Sequence, residues 1–234
     1  MPKFILFDID GTLVDVGGAG SRSLNLALED LTGIHEGFRG IHFAGKTDLQ
    51  IIGEGLDRLG LRGQNGFAQS LTDRYLLHLK REMARGRGQL KAGVKELLHH
   101  LQGAEGVYLG LLTGNLEQGA RLKLGPFGLN PFFPVGAFGS DEEDRNLLLP
   151  VAVQRLKEKE GFTIGYKDCV VVGDTPRDVA CARAYGSPSI AVATGPYPRE
   201  VLEETRADMV VPDLSDTGAI LRWIVDARVE KGRP

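Results

Sequence analysis

The sequence has 234 residues, of which 42% are hydrophobic and 25% are charged, and this composition is typical of a globular protein. Its 28 basic and 31 acidic residues give a formal net charge of −3, so there is no strong field to attract nucleic acid or an anionic membrane. We therefore expect no nucleic-acid partner and no membrane partner. The length allows one large domain or two small ones.

The sequence has no pattern typical of export or of a membrane span. Its N-terminus carries one basic residue and a short apolar run that ends at Asp8, which does not match a signal peptide. No apolar stretch approaches the roughly 18 residues that a membrane-spanning helix needs. Cys169 and Cys181 lie in apolar or helical patterns and are interpreted as small core residues. We therefore expect a cytoplasmic protein in a reducing compartment.

The first predicted element is a buried strand at residues 3–7, and two aspartates follow it. Asp8 ends the apolar run and Asp10 comes two residues later, so both side chains are expected on the same side of the chain. Gly11 then allows a turn that a β-carbon would not tolerate. An ordinary Asp-Gly turn would explain Asp10 and Gly11. It would not explain an aspartate at the end of an otherwise apolar strand.

Residues 16–88 interrupt the expected alternation of strands and helices. Helical patterns occur at 21–31, 48–59 and 67–83, and no convincing strand is present. We therefore predict a separate helical domain at 16–88, inserted into a second domain made of residues 1–15 and 89–234. The glycine-rich stretches 17–20 and 85–88 are interpreted as its two hinges.

A second apolar run at 107–112 predicts another buried strand, which is followed by Thr113, Gly114 and Asn115. The Thr113 hydroxyl group is expected at the same edge of the sheet as Asp8. Two simpler interpretations remain open for these residues. Thr113 would also fit as a plain hydroxyl at a strand end, and Asn115 would fit as the N-cap of the next helix.

The clearest later strand, at 169–172, again ends in acidic residues. Asp174 follows the strand, and Thr175 and Pro176 suit the N-cap and the first position of a helix. Asp178 then occupies the third helical position, where its simpler role is half of a capping box with Thr175. No capping geometry explains Asp174, which makes it the better candidate for a functional carboxylate.

The other elements complete the prediction of an α/β fold with a doubly wound parallel sheet. Continuous apolar strands separated by helices are typical of a sheet that is covered on both faces, and a ligand then binds at the carboxyl ends of the strands. The remaining strands are predicted at 134–138, 189–193 and 209–211, and the remaining helices at 93–101, 116–124, 150–160, 176–185 and 218–229.

This topology would bring Asp8, Asp10, Asp174 and Asp178 into one crevice. Carboxylates this close do not all stay ionised unless a cation lies among them. A site made of oxygen ligands and water suits Mg²⁺. A hard cation beside a hydroxyl group and backbone N–H groups exposed at glycines suits a phosphoryl group.

The segments DIDGTLVD, LLTGN and VVVGDTPRD resemble motifs one, two and four of the haloacid dehalogenase superfamily. The resemblance extends over essentially the whole chain. It implies a Rossmann-like core, and the insert after motif one resembles the helical cap of the phosphoglycolate phosphatase and β-phosphoglucomutase branch. The implied activity is that of a phosphoric monoester hydrolase, because the dehalogenases of the superfamily lack the second aspartate, here Asp10.

The resemblance implies a role for each motif residue. Asp8 would be the nucleophile and would form an aspartyl-phosphate, and Asp10 would act as general acid and then as general base. Thr113 and Gly114 would bind the phosphoryl oxygens, and Thr12 would stiffen the nucleophile loop. Mg²⁺, the implied cofactor, would be held by a set consisting of Asp8, the Asp10 backbone carbonyl, Asp174 and Asp178.

The third motif departs from the usual pattern. Superfamily members commonly carry a lysine there, whereas this chain has Arg145 within FGSDEEDRN. Arginine keeps the charge and offers a bidentate fork for phosphate, so Arg145 is counted with the catalytic residues. Lys123, on the helix after motif two, is the alternative cation. A surface ion pair between Arg145 and the nearby acidic run is the simpler interpretation.

The insert has one chemical signal, the GKTD segment at 45–48. Lys46 is a candidate for contact with a second anionic group of the substrate, and a solvated lysine at a helix start is the simpler interpretation. The predicted substrate-binding residues are Gly11, Thr12, Gly114, Asn115 and Lys46. The expected partner is a small phosphorylated metabolite of the phosphoglycolate or sugar-phosphate type, and the chain is expected to be a monomer or a homodimer.

Three other functions remain to be weighed. A phosphomutase would share nearly every residue and would differ only in what accepts the phosphoryl group. A non-catalytic phosphoryl-binding module is disfavoured because Asp8, Asp10 and Asp174 are all present. Residues 40–47, GIHFAGKT, fit the pattern of a nucleotide-binding P-loop, but no predicted strand precedes them, as a P-loop requires.

Overall fold

The computed structural model describes residues 2–226, and its centre is a six-stranded parallel sheet. Strand β1 (Lys3–Phe7) lies inside the sheet, and all five of its residues are buried. Phe4 and Leu6 pack into the core on one face, and Ile5 and Phe7 pack into the core on the other. A continuous apolar run forms this strand because both faces of the sheet are covered. The predicted fold class is confirmed.

The other five strands of this sheet are β4 (Val107–Thr113), β5 (Val135–Phe138), β6 (Cys169–Gly173), β7 (Ser189–Val192) and β8 (Met209–Val211). All six predicted strands are present, with ends that differ from the predicted ones by at most one residue. The strand order is β5-β4-β1-β6-β7-β8, and Phe7 of β1 lies opposite Leu111 on one side and Val172 on the other.

Within residues 16–88 the chain forms three helices, α1 (Ala19–Thr32), α2 (Asp48–Arg58) and α3 (Phe67–Ala84). Residues 16–88, all of which the structure describes, contain no strand, as predicted. The ends of this insert lie side by side, because β2 (Val14–Asp15) pairs antiparallel with β3 (Gln89–Leu90). This two-residue pairing was not predicted, since it is too short to leave an apolar pattern.

Helices cover the sheet at the predicted places. The helix predicted from 150 begins earlier, because a 3₁₀ turn at Arg145–Leu147 leads directly into it. One short helix, α8, was not predicted, and residues 227–229 of the last predicted helix lie outside the described residues. The helices after β3 are α4 (Val94–Gln102), α5 (Glu117–Leu124), α6 (Leu148–Glu160), α7 (Pro176–Ala184), α8 (Arg199–Glu204) and α9 (Thr217–Asp226).

Two further predictions concern the core and the membrane. Cys169 and Cys181 are both buried free thiols, which confirms that they belong to the core. Across residues 2–226, no helix combines the length and the apolar character needed to cross a bilayer.

Candidate active site

The first site residues leave strand β1 at the carboxyl edge of the sheet. Asp8 is buried, and its N–H group donates to the Val172 carbonyl at 2.9 Å, which continues the strand pairing by one residue. Gly11 has a φ of 84°, and a β-carbon there would collide with the Asp174 carboxylate. The turn therefore needs glycine for its backbone angle and for the close approach of Asp174. Asp10 lies just before this turn with a partly exposed side chain.

The acidic residues after β6 lie at the same edge of the sheet as Asp8. The Thr12 hydroxyl group donates to Asp174 Oδ1 at 3.0 Å, which ties the loop after β1 to the loop after β6. Asp178 Oδ2 accepts from the Thr175 N–H group at 3.0 Å and from the Thr175 hydroxyl group at 2.7 Å. The capping-box interpretation of Asp178 is therefore confirmed. The other oxygen of Asp178 contacts Arg145, so the residue also belongs to the charged cluster.

Arg145 lies at the centre of the charges. Its side chain is 4% exposed, and Nη2 lies 3.1 Å from Asp8 Oδ1 and pairs with Asp178. The surface ion pair considered from the sequence is wrong, because Asp141 of the acidic run pairs with Arg155 instead. The 3₁₀ turn before α6 directs Arg145 inward, and its Nε is buried without a hydrogen-bond partner.

Lys123 has a different neighbour. Its buried ammonium group donates to Asp10 Oδ2 and to Asn115 Oδ1, both at 2.6 Å. Asn115 in turn donates from Nδ2 to Asp10 Oδ2 at 2.8 Å. Of the two cations considered for the third motif, Arg145 contacts Asp8 and Lys123 contacts Asp10.

Residues 113–116 form the end of strand β4 and the turn after it, and they contact the insert. Thr113 Oγ1 accepts from Asn115 Nδ2 at 2.9 Å, so both side chains point toward the aspartates. The simpler interpretation of Asn115 as a helix cap is wrong. The N-cap of α5 is Leu116, whose N–H group donates to Asp48 Oδ2 of the insert at 2.9 Å. No sequence motif indicates that Leu116 and Asp48 are partners, because 68 residues separate them.

The buried carboxylates have a chemistry that fits a hard divalent cation. Asp8, Asp174 and Asp178 each offer an oxygen, and these oxygens lie within 4.8 Å of one another. Burial raises the pKa of Asp8 to about 6, although the Arg145 guanidinium acts in the opposite direction. Burial, with Asp8 and Asp178 nearby, raises the pKa of Asp174 well above its ordinary value. One guanidinium group therefore leaves the cluster short of positive charge, and oxygen donors of this kind suit Mg²⁺.

Asp8, Asp174 and Arg145 form the floor of a cavity of about 510 Å³, and residues of the three insert helices line its opposite wall. Lys46 lines the cavity and is mostly buried, so it is not the solvated lysine of the simpler interpretation. Its ammonium group pairs with Glu54 of α2, at 2.7 Å from Oε1 and 2.5 Å from Oε2. Glu54, which contacts Lys46, and Lys91 of the cavity wall are not predicted from the sequence. Neither residue belongs to a recognisable motif.

The GKTD segment, residues 45–48, packs against the loops that follow strands β4 and β5. The Asp48 N–H group donates to the Gly114 carbonyl at 2.7 Å, and the Thr47 hydroxyl group donates to the Glu143 carbonyl at 2.7 Å. A β-carbon on Gly114 would collide with the Lys46 carbonyl, so glycine allows this close contact. No strand occurs at residues 33–47, which the structure describes in full. The segment therefore lacks the strand that a nucleotide-binding P-loop follows.

Comparison with known proteins identifies the class. The family model for haloacid dehalogenase-like hydrolases matches residues 2–186 of this chain. The chain belongs to this family, and it is a hydrolase of the phosphatase type.

Individual relatives carry different names. A protein named phosphoglycolate phosphatase from Rhodospirillum rubrum is 30% identical, covering 93% of this chain and 90% of its own length. A protein named tyrosine-protein kinase PtkA from Mycobacterium tuberculosis is 28% identical, covering 89% of this chain and 68% of its own length. A crystal structure of CbbY from Rhodobacter sphaeroides in complex with phosphate superimposes with a TM-score of 0.70 at 20% identity, covering 93% of this chain and 97% of that chain. This likeness shows a shared fold.

Proposed function

We propose that this protein is a Mg²⁺-dependent phosphatase that hydrolyses a small phosphate monoester through an aspartyl-phosphate on Asp8. The observation that carries the proposal is the position of the Asp8 carboxylate. It lies buried at the floor of the cavity, 3.1 Å from the Arg145 guanidinium and beside two further carboxylates. An arginine at this distance suits the negative charge that spreads over a transferring phosphoryl group.

In the first step an Asp8 carboxylate oxygen attacks phosphorus and the bond from phosphorus to the ester oxygen breaks. Asp10, in its protonated form, gives its proton to the leaving alkoxide oxygen, and the alcohol departs. The contacts that Lys123 and Asn115 make with Asp10 support this role, because they hold its carboxyl group at a defined place in the cavity.

In the second step the Asp10 carboxylate takes a proton from a water molecule, whose oxygen attacks phosphorus. The bond from phosphorus to the Asp8 oxygen breaks, which releases inorganic phosphate and restores the Asp8 carboxylate. Thr113, Gly114 and Arg145 are proposed to bind the non-bridging oxygens in both steps, with Gly11, Thr12 and Asn115 shaping the pocket around them. The buried contacts of Thr12 and Asn115 support this arrangement.

Asp8, Asp174 and Asp178, together with the Asp10 backbone carbonyl, would hold Mg²⁺. When bound, the ion supplies positive charge that neutralises the phosphoryl oxygens and the carboxylates. The raised pKa values of Asp8 and Asp174 support this assignment, because burial disfavours the charged carboxylates and a bound cation would offset that cost. We further propose that residues 16–88 act as a cap domain that encloses the substrate and excludes water.

The test is hydrolysis of p-nitrophenyl phosphate by the wild-type enzyme and by Asp8→Asn, each with Mg²⁺ and with EDTA. We expect turnover only in the wild-type enzyme with Mg²⁺, and a loss of at least about 10³-fold in kcat in Asp8→Asn because the amide is not a nucleophile. Asp73→Asn, an exposed change on α3, serves as the matched control and should keep wild-type activity. Turnover that survives in Asp8→Asn or in EDTA would contradict the proposal.

A further inference from the structure

The cavity is lined differently at its two ends. At the end near the sheet, Asp8, Asp174 and Arg145 face the space where a phosphoryl group would lie. At the end near the insert, the wall consists mainly of apolar side chains from three helices and the segments that connect them. These are Val16, Leu24, Phe43, Ile51 and Tyr75.

The cations of the cavity wall are already paired with carboxylates of the protein. Lys46 pairs with Glu54 through both carboxylate oxygens, and Lys123 pairs with Asp10. Lys91 donates to the Thr194 carbonyl at 2.9 Å and lies 3.7 Å from Asp15 Oδ2. Within the described residues, every lysine and arginine that lines the cavity therefore has a carboxylate within 4.0 Å.

The wall also carries a carboxyl group that forms no ion pair with any of the described residues. Asp48 accepts from the Leu116 N–H group at 2.9 Å and from the Tyr75 hydroxyl group at 3.4 Å, both of which are neutral donors. A second anionic group on a substrate would meet Asp48, and it would find both Lys46 and Lys91 already paired with carboxylates of the protein. It would bind a lysine only by displacing Glu54 from Lys46 or Asp15 from Lys91, and either displacement leaves one carboxylate unpaired.

From this arrangement we infer that the organic part of the substrate is uncharged and partly apolar, so that the phosphoryl group is its only anionic group. The inference rests on the proposed function and narrows it. The wall offers apolar contact area to an uncharged alkyl, aryl or hydroxylated group. Among the described residues, it offers no unpaired cation to a carboxylate such as that of phosphoglycolate.

Three phosphate esters of similar size test the inference on the intact enzyme with Mg²⁺. They are phosphoglycolate, its primary amide and isobutyl phosphate. The amide differs from the carboxylate by little more than the charge, and the isobutyl group has a similar branched shape without polar atoms. We expect kcat/KM for the amide and for isobutyl phosphate to exceed that for phosphoglycolate by about tenfold or more, because the carboxylate remains unpaired.

A pair of variants on the same helix separates charge from general damage. Glu54→Gln frees Lys46 and should raise kcat/KM for phosphoglycolate, relative to that for the amide, by about threefold or more. Asp57→Asn removes a carboxylate from the same helix, where it pairs with Arg62 outside the cavity, and should leave this ratio at the wild-type value. The inference is wrong if Glu54→Gln and Asp57→Asn give the same ratio.

The inference and the proposed function fail in different ways. Equal or faster hydrolysis of phosphoglycolate than of the amide by the wild-type enzyme overturns the inference and leaves the phosphatase intact. Absence of turnover with all three esters overturns the proposed function. In that case calorimetric binding of the three esters to Asp8→Asn with Mg²⁺ still ranks them, and tighter binding of phosphoglycolate than of the amide contradicts the inference.

Discussion

The two ends of the cavity use opposite means of handling charge. At the sheet, Asp8, Asp174 and Asp178 lie together under burial with one guanidinium group among them, and the local charge is uncompensated. At the insert, Lys46 and Glu54 neutralise each other, Asp48 accepts from two neutral donors, and the rest of the wall is mainly apolar. Unbalanced charge is costly in a folded protein, so its position marks where a metal ion and a phosphoryl group are expected to bind. The end at the insert, where Lys46 is paired with Glu54, is suited to select the organic part of the substrate.

The largest effect that separates the two ends is expected from Asp174→Asn. Activity should fall by about 10² to 10³-fold because the proposed metal ligand becomes neutral, and the stabilisation that we expect from Mg²⁺ should disappear. The Tm of the metal-free protein should not fall, because burial disfavours the charged form of Asp174 and the amide oxygen still accepts from Thr12. Steady-state kinetics and thermal melts with and without Mg²⁺ measure both quantities.

Asp168→Asn is the matched control for this change. Asp168 lies before the same strand β6, at its opposite end, where it pairs with the buried Lys3 at 2.8 Å. We expect Asp168→Asn to lower the Tm and to keep kcat. Equal losses of activity in Asp174→Asn and Asp168→Asn would contradict the expectation that only the Asp174 end of the strand takes part in activity.

The second effect belongs to the insert. Leu24 of α1 is 3% exposed and lies in the cavity wall, so Leu24→Ala removes buried apolar volume. We expect the free energy of unfolding to fall by about 2 to 4 kcal/mol. Because Asp8 and Arg145 are untouched, KM should rise much more than kcat falls.

Leu26 of the same helix provides the control. Its side chain is 39% exposed, and Leu26→Ala should change the free energy of unfolding by less than about 0.5 kcal/mol. Urea unfolding curves and steady-state kinetics give the comparison. A Leu24→Ala variant with unchanged KM and a strongly reduced kcat would indicate that the insert takes part in the chemical step.

The smallest effect concerns an ion pair within the insert. Glu82 of α3 is buried and accepts from Arg22 of α1 at 2.9 Å, and this contact holds the pKa of Glu82 below its ordinary value of 4.5. A carboxyl group whose pKa is lower in the folded protein stabilises the fold at pH values above its ordinary pKa. This contribution is lost as the pH falls through the pKa of the folded state. We expect Glu82→Gln to cost about 1 kcal/mol near neutral pH.

The difference between Glu82→Gln and the wild-type protein should shrink below about pH 4.5, where Glu82 itself becomes protonated. Thermal melts of both proteins between acidic and neutral pH measure this difference. A difference that stays constant across that range would mean that the contact contributes through packing rather than charge.

Much of the fold and the floor of the site follow from local patterns. Strand β1 is a continuous apolar run with an aspartate at its end, and the topology of a parallel sheet brings that end beside Asp174. Contacts between distant segments do not follow from such patterns. Both Arg145 and Lys123 fitted one role, and only the three-dimensional arrangement assigns Arg145 to Asp8 and Lys123 to Asp10.

The contact between Lys46 and Glu54 in the cavity wall is not predictable from the sequence. Glu54 lies in the ordinary amphipathic helix α2, eight residues after Lys46, and no motif indicates that the two side chains meet.

Two further features also leave no clear pattern. The pairing of β2 with β3 has only two residues on each strand, which is too few for a period of two to be visible. Asn115 was considered as a helix cap because its residue type suits one, but its side chain contacts Asp10 and Thr113 instead.

The most direct test of the account is to trap the covalent intermediate. Borohydride added during turnover reduces an aspartyl-phosphate to homoserine, and peptide mass spectrometry then locates the modified residue. The account predicts homoserine at position 8 when both substrate and Mg²⁺ are present, and unmodified Asp8 when either is absent. Continued turnover with no homoserine at position 8, or with homoserine at Asp10 or Asp174 instead, would contradict it.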